Sequence, residues 1–372
     1  MSNLLNTLEE YVQRAIHAKR TFVGSKHLEK KIEFVCRNIR IKAPIRFLLS
    51  CCAAKIDNSK IDIRKPYTEI RDKDAYSGRT YDEQYIQKVI EKHNLPCNTT
   101  TAYLTPAFRN RNSTMTPKTE LVGRQPELYK AALELIDEVH KGNLSAEKLF
   151  KETIRILVII REENAKRIKQ LIETLKGSDK SIALSSEQIV NLLQQHLACK
   201  NSSRLPILIV AAAYNSVSDL IGEKINDLQA HNAADKQTGA YGDVEVTLIN
   251  DDNIVTSYEM KEKRITKSDI EIAIKKIAES KLNIDNYIFI TTEEIDFEVS
   301  EYAKSIYDLS KFEIAILDCI GFIKHFLHFF HRKRTAFIEE YQKLVLDEPN
   351  SAVNQPLKEA FLALRQAAEV EK

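Results

Sequence analysis

The sequence predicts an α/β protein in which helices cover a mixed β-sheet, with a largely helical region before it and a helical tail after it. Two observations predict this class. Between residues 204 and 320, the patterns follow the order helix, hairpin, helix, strand, helix, strand. The 372-residue chain has only nine glycines and nine prolines, which favours long helices over low-complexity sequence. A chain of this length is expected to form about two to three domains.

Helical spacing dominates the first 200 residues. Leu4, Leu8 and Val12 recur every four positions, and the apolar stretch from Pro44 onward suits a helix because a first helical turn tolerates proline. The same spacing predicts further helices over 126–141, 145–176 and 186–198.

An irregular segment interrupts these helices between residues 57 and 125. It is dense in Arg, Tyr, Thr and Asn, is punctuated by Gly and Pro, and contains one predicted short helix near 81–93. Loops of this length are usually either functional or disordered. The Arg and Tyr content favours a functional segment.

Residues 201–320 supply the predicted sheet. Two alternating runs, 243–249 and 254–263, are joined by the short polar turn Asn-Asp-Asp-Asn and therefore predict a β-hairpin. The apolar runs 287–290 and 312–317 are expected to be buried strands. Helices are predicted over 206–228, from Thr266 onward and over 297–310, with a polar loop over 231–242.

The tail, residues 321–372, is predicted to be helical and contains His325, His328 and His331 at intervals of three. Closely spaced histidines can form a metal-binding face, but a spacing of three drifts around a helix. The phenylalanines between these histidines instead favour core or partner contacts.

Composition excludes several classes of protein. The chain carries 55 Lys+Arg against 53 Asp+Glu, so its net charge of +2 excludes a uniformly basic binder but leaves room for a local basic cleft. The sequence contains no stretch of about 18 uncharged apolar residues and no signal-peptide pattern, so neither a membrane span nor a secretion signal is expected. The six cysteines show no CxxC spacing, so a metal cluster is not expected. We therefore expect a soluble, cytoplasmic protein with reduced thiols. The glycine motifs of P-loop and Rossmann proteins are absent too, which disfavours ATP-driven or dinucleotide chemistry.

The predicted hairpin brings an aspartate close to the tripeptide Glu-Met-Lys. Because side chains alternate along a strand, Asp243 on the first strand and Glu259 and Lys261 on the second project from one face. The apolar residues of both strands occupy the other face. The first strand begins where the second ends, so antiparallel pairing sets Asp243 beside Glu259 and Lys261.

Two adjacent carboxylates repel each other unless a positive charge lies between them. A hard divalent cation such as Mg²⁺ suits that place, because one or two carboxylates, water and substrate phosphate commonly hold it. Such a cation lowers the pKa of its water and stabilises charge on phosphorus. The pattern therefore indicates phosphodiester hydrolysis, with Asp243 and Glu259 as metal ligands and Lys261 orienting the water or offsetting charge.

The same pattern has an alternative explanation, a solvated strand face with charged cross-strand pairs. Glu-x-Lys by itself is uninformative, since it begins at Glu29, Glu259 and Glu279, and only Glu259 has an acid placed opposite it. Glu245 is either a third ligand or a surface acid. Glu223, near the end of the preceding helix, either reaches the metal from beside the sheet or is an exposed helix acid.

A second set of candidates lies in the irregular segment. Arg binds phosphate or guanine through a bidentate fork and Tyr commonly bonds phosphate oxygens, so interspersed Arg and Tyr indicate nucleic-acid contacts. The competing explanation is a solvated loop with local salt bridges, because acids are interleaved with these residues. The candidates are Arg64, Lys65, Tyr67, Arg79, Tyr81, Arg109 and Arg111.

On these residues the chain resembles the type II restriction endonucleases of the PD-(D/E)xK nuclease superfamily. Asp243, Glu259 and Lys261 match the superfamily motif position by position, inside the expected hairpin. One departure is Gly242, which stands where a proline often precedes the aspartate.

A narrower resemblance covers roughly residues 50–112. The stretches IDIRKPYTEI at 61–70 and SGRTYDE at 77–83 are similar to the N-terminal part of SacI-type restriction enzymes. We expect residues 1–200 to form a mostly helical DNA-recognition region, residues 201–320 the nuclease core, and residues 321–372 a helical C-terminal tail.

The resemblance implies a site-specific type II restriction endonuclease that cuts double-stranded DNA with Mg²⁺. Most such enzymes cut palindromic sites, so a homodimer is expected. A cognate DNA methyltransferase would complete the restriction-modification system. Two alternatives stay open: a superfamily nuclease for repair or junction resolution, and a DNA-binding protein with a catalytically idle nuclease fold.

Overall fold

The computed structural model describes residues 2–38, 40–98, 100–176, 183–228, 242–280, 284–310 and 312–370. The polar loop predicted over 231–242 lies, apart from Gly242, outside these ranges. The chain divides into two compact units, residues 1–166 and 167–372. The functional division into recognition region, nuclease core and tail stays a prediction. Among the described residues, no helix combines the length and the apolarity needed to cross a membrane.

Helices dominate the first unit. They are α1 (Ser2–Ile16), α2 (Lys26–Arg37), α3 (Ala43–Asp57), α4 (Gly78–Tyr81), α5 (Gln87–Lys92), α6 (Pro126–His140) and the first part of α7 (Ala146–Lys176). Helix α3 is buried on all sides along its first three turns, in keeping with a sequence that is apolar around its whole circumference. Pro44 lies in its first turn, as predicted.

The irregular segment is more ordered and more buried than its sequence suggests. A π-helical turn, Asp82–Ile86, joins α4 to α5 into one helical run. The Asp82 carboxylate is fully buried and accepts hydrogen bonds from Arg46 Nε at 2.8 Å, from Thr101 Oγ1 at 2.5 Å and from the Ala102 N–H at 2.8 Å. This buried polar network holds the segment against α3, because charges and donors inside a core must be paired.

The second unit contains a five-stranded sheet and seven further helices among its described residues. The strands are β1 (Glu223–Ile225), β2 (Val244–Leu248), β3 (Ile254–Lys261), β4 (Asn286–Thr291) and β5 (Glu313–Asp318). The helices are α8 (Ser186–Leu197), α9 (Leu205–Ile221), α10 (Lys267–Ser280), α11 (Phe297–Ser310), α12 (Cys319–Phe329), α13 (Arg334–Asp347) and α14 (Gln355–Val370).

The sheet is mixed, as the sequence predicts. Its strands follow the order β1-β2-β3-β4-β5, with antiparallel pairing from β1 to β3 and parallel pairing from β3 to β5. Helices α9 and α12 cover one face over Val244, Val246 and Tyr258. Helices α10 and α11 cover the other face over Tyr287 and Phe289. The α/β class with helices on both faces of the sheet is therefore confirmed.

The C-terminal helices share one buried cluster with α8, α9 and the sheet. His196 of α8 shows how closely they pack, because its Nδ1 lies 2.9 Å from the Tyr341 hydroxyl and its Nε2 lies 3.0 Å from the Leu357 carbonyl. Burial lowers the pKa of His196 to about 4, so the ring is neutral. In the tail, His325 stacks on a phenylalanine ring and His328 lies 3.3 Å from a glutamate.

Two local features differ from the predicted pattern. Helix α9 ends at Ile221 instead of continuing to 228, because Gly222 adopts a left-handed φ of 73° and closes the helix. The register of β2 against β3 shifts between Val246 and Thr247, which is the signature of a bulge. The shift buries Thr247 and leaves Leu248 43% exposed, so strict alternation fails at this end of the strand.

Candidate active site

The β2–β3 hairpin positions an aspartate at the start of β2. Val244 pairs with Tyr258 in antiparallel register, and the Asp243 N–H extends this pairing by donating to the Tyr258 carbonyl at 2.7 Å. The Asp243 carboxylate accepts a hydrogen bond from the Met260 N–H, also at 2.7 Å. Asp243 is therefore tied to β3 on both sides of Glu259.

Gly242 is required at its position by close approach of the hairpin. A Cβ placed on Gly242 would lie 2.4 Å from Ser257 Oγ and 2.5 Å from the Tyr258 carbonyl oxygen. That carbonyl accepts the hydrogen bond of Asp243, so it has no freedom to withdraw. Gly242 therefore replaces the proline that often precedes the aspartate of the PD-(D/E)xK motif because no side chain fits at this position.

Glu259 and Lys261 project from the same strand two residues apart. Lys261 Nζ donates to Glu259 Oε1 at 2.9 Å, and the two side chains are 25% and 19% exposed. A second donor, the Tyr287 hydroxyl, lies 3.3 Å from Glu259 Oε2. The structure thus brings Asp243, Glu259 and Lys261 together at one end of the hairpin.

The environment shifts the pKa of two of these groups. Burial raises the pKa of Asp243 to about 6; the Met260 N–H works against this shift, and the negative charge of Glu259 adds to it. Burial alone would lower the pKa of Lys261, but the hydrogen bond and charge of Glu259 outweigh it and raise that pKa. Lys261 is therefore an ammonium cation at neutral pH.

A cavity of about 720 Å³ opens beside Asp243 and Lys261. It lies between the end of α8, the start of α9 and the carboxyl ends of the parallel strands, where α/β proteins commonly bind ligands. Its other lining residues include Gln194, Ser202, Ser203, Met260, Lys263, Thr292 and Asp318.

The donor chemistry of the site fits a hard divalent cation. Two carboxylates, Asp243 and Glu259, are near enough for the charge of one to raise the pKa of the other, and a cation between them would relieve that repulsion. Among the described residues, no group of three or more His, Cys, Asp or Glu side chains is arranged to hold a metal ion. Two carboxylates completed by water and phosphate match the coordination that Mg²⁺ accepts.

Of the two other acids considered as ligands, Glu245 lies on the same strand as Asp243 and Glu223 lies on a different strand. Glu223 is on strand β1 and pairs with Leu248, at the end of β2 opposite to Asp243, so the structure does not bring it to the site. Glu245 lies on β2 opposite Ser257, two residues from Asp243, and its Oε2 accepts a bond from Asn226 Nδ2 at 3.3 Å.

Three candidates of the Arg/Tyr segment are held within the first unit. Arg64 forms an ion pair with Asp62 at 2.9 Å, and Lys65 forms one with Asp74 at 2.8 Å. Tyr67 is buried and donates to a backbone carbonyl. The two ion pairs match the local salt bridges of the competing explanation, whereas the burial of Tyr67 does not match a solvated loop.

Of the remaining four candidates, Arg79 and Arg109 are exposed and Tyr81 and Arg111 are half-buried. Tyr81 donates to an Asp57 carboxylate oxygen at 2.6 Å, and Arg109 and Arg111 donate to backbone carbonyls of their own loop. The Arg79 side chain is 55% exposed, so it can reach an external partner.

Several residues at the site were not selected from the sequence. Lys263 lines the cavity two positions beyond Lys261, and strand alternation could have identified it. Tyr287 was assigned only to an apolar strand, because its proximity to Glu259 depends on the parallel pairing of β3 with β4. The positive charge of buried Arg204 also acts on Asp243, and no local pattern reveals that.

Comparison with known proteins identifies part of the second unit. Residues 181–293 match the family model of the SacI restriction endonuclease C-terminal domain. The matched segment includes β1 to β4 and therefore Asp243, Glu259 and Lys261. No curated protein is significantly similar to the chain. The match confirms the resemblance to SacI-type type II restriction endonucleases through residues 181–293, whereas residues 50–112, where the narrower resemblance was noted, lie outside it.

Proposed function

Because the chain carries a SacI restriction endonuclease domain, we propose that it is a site-specific type II restriction endonuclease that cleaves double-stranded DNA by Mg²⁺-dependent hydrolysis. The observation that carries the proposal is the pairing of Val244 with Tyr258, which sets Asp243 beside Glu259 and Lys261. This arrangement supports membership of the PD-(D/E)xK nuclease superfamily. The cavity beside Asp243 and Lys261 supports it too, because a DNA backbone needs open access to the reacting groups.

The chemistry follows from the groups that line the site. Asp243 and Glu259 would hold Mg²⁺, which when bound lowers the pKa of a water and neutralises charge on the phosphate. Lys261 is protonated, so it donates hydrogen bonds and orients the attacking water rather than accepting its proton. The water oxygen would bond to phosphorus in line as the bond from phosphorus to the 3′ oxygen breaks, and one proton of that water would end on the 3′ oxygen by way of solvent. The products are a 5′-phosphate and a 3′-hydroxyl.

Further parts of the proposal follow from the substrate. Two copies of the chain would act on one palindromic site, each cutting one strand, since protein symmetry mirrors site symmetry. A cognate DNA methyltransferase would protect the host's own sites, and both proteins would act in the cytoplasm. The Arg/Tyr segment of the first unit would supply contacts to phosphates and bases.

The direct test is to incubate the purified protein with unmethylated phage DNA in Mg²⁺ and in EDTA. Discrete fragments that form only with Mg²⁺ are the expected result, and mapping their ends gives the recognition site. A smear on linear DNA, or cutting of branched DNA alone, would indicate a repair or junction nuclease. Binding of DNA without cleavage of any substrate would indicate an idle fold and overturn the proposal.

Metal binding is expected to weaken as the pH falls below about 6. Burial raises the pKa of Asp243 to about 6, so its carboxyl is ionised above that pH and neutral below it. A proton and a cation compete for the same oxygens, so each further pH unit below the pKa should lower the apparent affinity about tenfold. Calorimetric titration of Mn²⁺ into the DNA-free protein from pH 5 to pH 8 measures this. Equal affinity at pH 5 and pH 7 would contradict the assignment of Asp243 as a ligand.

Arg79→Ala is expected to weaken DNA affinity or relax sequence preference by about 1–3 kcal/mol if Arg79 reads a base. Its ion pair with Glu83, at 2.7 Å, is exposed and therefore weak enough to be exchanged for a contact with DNA. Gel-shift titrations on the recognition site and on single-base variants of it measure both quantities.

Arg37→Ala is the control, because Arg37 is also an exposed arginine in an i,i+4 ion pair, with Glu33 at 2.7 Å, outside the Arg/Tyr segment, although it also pairs with Glu163 at 2.7 Å. Equal behaviour of the two variants would remove Arg79 from the DNA contact surface.

A further inference from the structure

Glu259 is held from two sides by groups of very different mobility. Its Oε1 accepts from Lys261 Nζ at 2.9 Å, and its Oε2 accepts from the Tyr287 hydroxyl at 3.3 Å. Lys261 sits on a long flexible stem that is 25% exposed, whereas Tyr287 is only 2% exposed. The tyrosine is therefore the rigid partner of the carboxylate.

The parallel pairing of β3 with β4 explains how the tyrosine reaches Glu259. Ser257 pairs with Tyr287 and Glu259 pairs with Phe289, so these side chains lie on the same face of the sheet. The Tyr287 ring packs edge-on against Phe289, with ring centroids 5.2 Å apart, in the cluster under α10 and α11. Because packing immobilises the ring, its hydroxyl occupies a fixed point to which the carboxylate must turn.

We propose that Tyr287 is a positioning residue that orients the Glu259 carboxylate toward a divalent cation, and this rests on the metal-dependent function proposed above. A carboxylate has about four lone-pair sites, so Glu259 can accept from Tyr287 and still coordinate a cation. Groups that orient a metal ligand typically contribute a factor of about 10–100 to metal affinity. Tyr287 acts through Glu259 and does not itself touch the metal or the substrate.

The test is calorimetric titration of Mn²⁺ into the full-length DNA-free protein and its Tyr287→Phe variant. We expect Tyr287→Phe to bind Mn²⁺ about tenfold more weakly. Tyr258→Phe is the matched control, because Tyr258 is an equally buried tyrosine next to Glu259 whose hydroxyl bonds Tyr214 on the opposite face, at 2.9 Å. Its Mn²⁺ affinity should equal that of the wild type. Wild-type affinity in Tyr287→Phe, with thermal melting showing that both variants fold, would overturn the proposal.

A double-mutant cycle separates an effect through Glu259 from a general loss of packing. If Tyr287 acts only by orienting Glu259, adding Tyr287→Phe to Glu259→Gln should not weaken Mn²⁺ binding further. Additive losses would show that Tyr287 acts elsewhere and would refute the positioning role. Failure of the proposed function has a different signature: wild-type protein that binds no Mn²⁺, or Asp243→Asn that binds it as tightly as wild type. In that case the positioning role falls together with the metal site.

Discussion

The Asp243→Asn variant is expected to cleave DNA about 10³-fold more slowly than the wild type while binding DNA with nearly the same affinity. Asparagine has the shape of aspartate and can accept the hydrogen bond that the Met260 N–H donates at 2.7 Å, so the hairpin should keep its geometry. What is lost is the negative charge that attracts a divalent cation. Single-turnover cleavage with Mg²⁺ and gel-shift titration without it measure the two properties separately.

Glu223→Gln is the matched control for this prediction. It removes a carboxylate from the same sheet, but Glu223 pairs with Leu248 at the end of β2 opposite to Asp243. Its cleavage rate should therefore be that of the wild type. A wild-type rate in Asp243→Asn would exclude Asp243 from the reaction, and equal losses in both variants would point to a general effect of charge rather than to a site.

Gly242→Ala is expected to reduce cleavage about 100-fold and to destabilise the fold by about 1–3 kcal/mol. The added Cβ would lie 2.4 Å from Ser257 Oγ and 2.5 Å from the Tyr258 carbonyl oxygen, so the two strands must separate. Separation breaks the bond from the Asp243 N–H to that carbonyl and moves the carboxylate away from Glu259. Single-turnover rates and thermal melting, measured on the same preparation, test both parts.

Gly24→Ala serves as the control, because a Cβ on Gly24 would meet no atom within 4 Å. It should leave both the rate and the melting temperature unchanged. Replacing Ser257 with alanine in the Gly242→Ala variant should not restore activity, since the backbone carbonyl of Tyr258 remains in the way. Full activity of Gly242→Ala would mean that the position of Asp243 is not set by this close approach.

The local part of the candidate site could be predicted from the sequence. Asp243, Glu259 and Lys261 belong to two strands that are neighbours along the chain, and alternation on a short hairpin is a property of the backbone itself. Glu223 shows the limit of this reasoning. Glu223 was considered a possible metal ligand because it was predicted to lie near the end of helix α9. That helix ends at Ile221, and Gly222 closes it, so Glu223 begins strand β1 instead.

The sequence does not show which residues of the Arg/Tyr segment could contact DNA. The Arg/Tyr segment has the composition of a nucleic-acid contact and also the interleaved acids of a salt-bridged loop, and composition alone does not distinguish the two. Pairing with Asp62 and Asp74 occupies Arg64 and Lys65, while Arg79 keeps an exposed side chain. The fold of the whole segment determines which acidic side chain pairs with which arginine or lysine.

The amino-acid sequence was enough to predict the α/β class, the hairpin and the three residues that its register brings together. These features depend on periodicity and on neighbouring strands, for which backbone geometry is sufficient. Three features are visible only in the folded molecule: Gly242 has no room for a side chain, Tyr287 reaches Glu259 from β4, and Glu223 lies away from the site. The Gly242 contact depends on how closely β2 approaches β3, and the other two features depend on pairing with β4 and with β1. Neither a close approach nor the choice of partner strand has a signature along the chain.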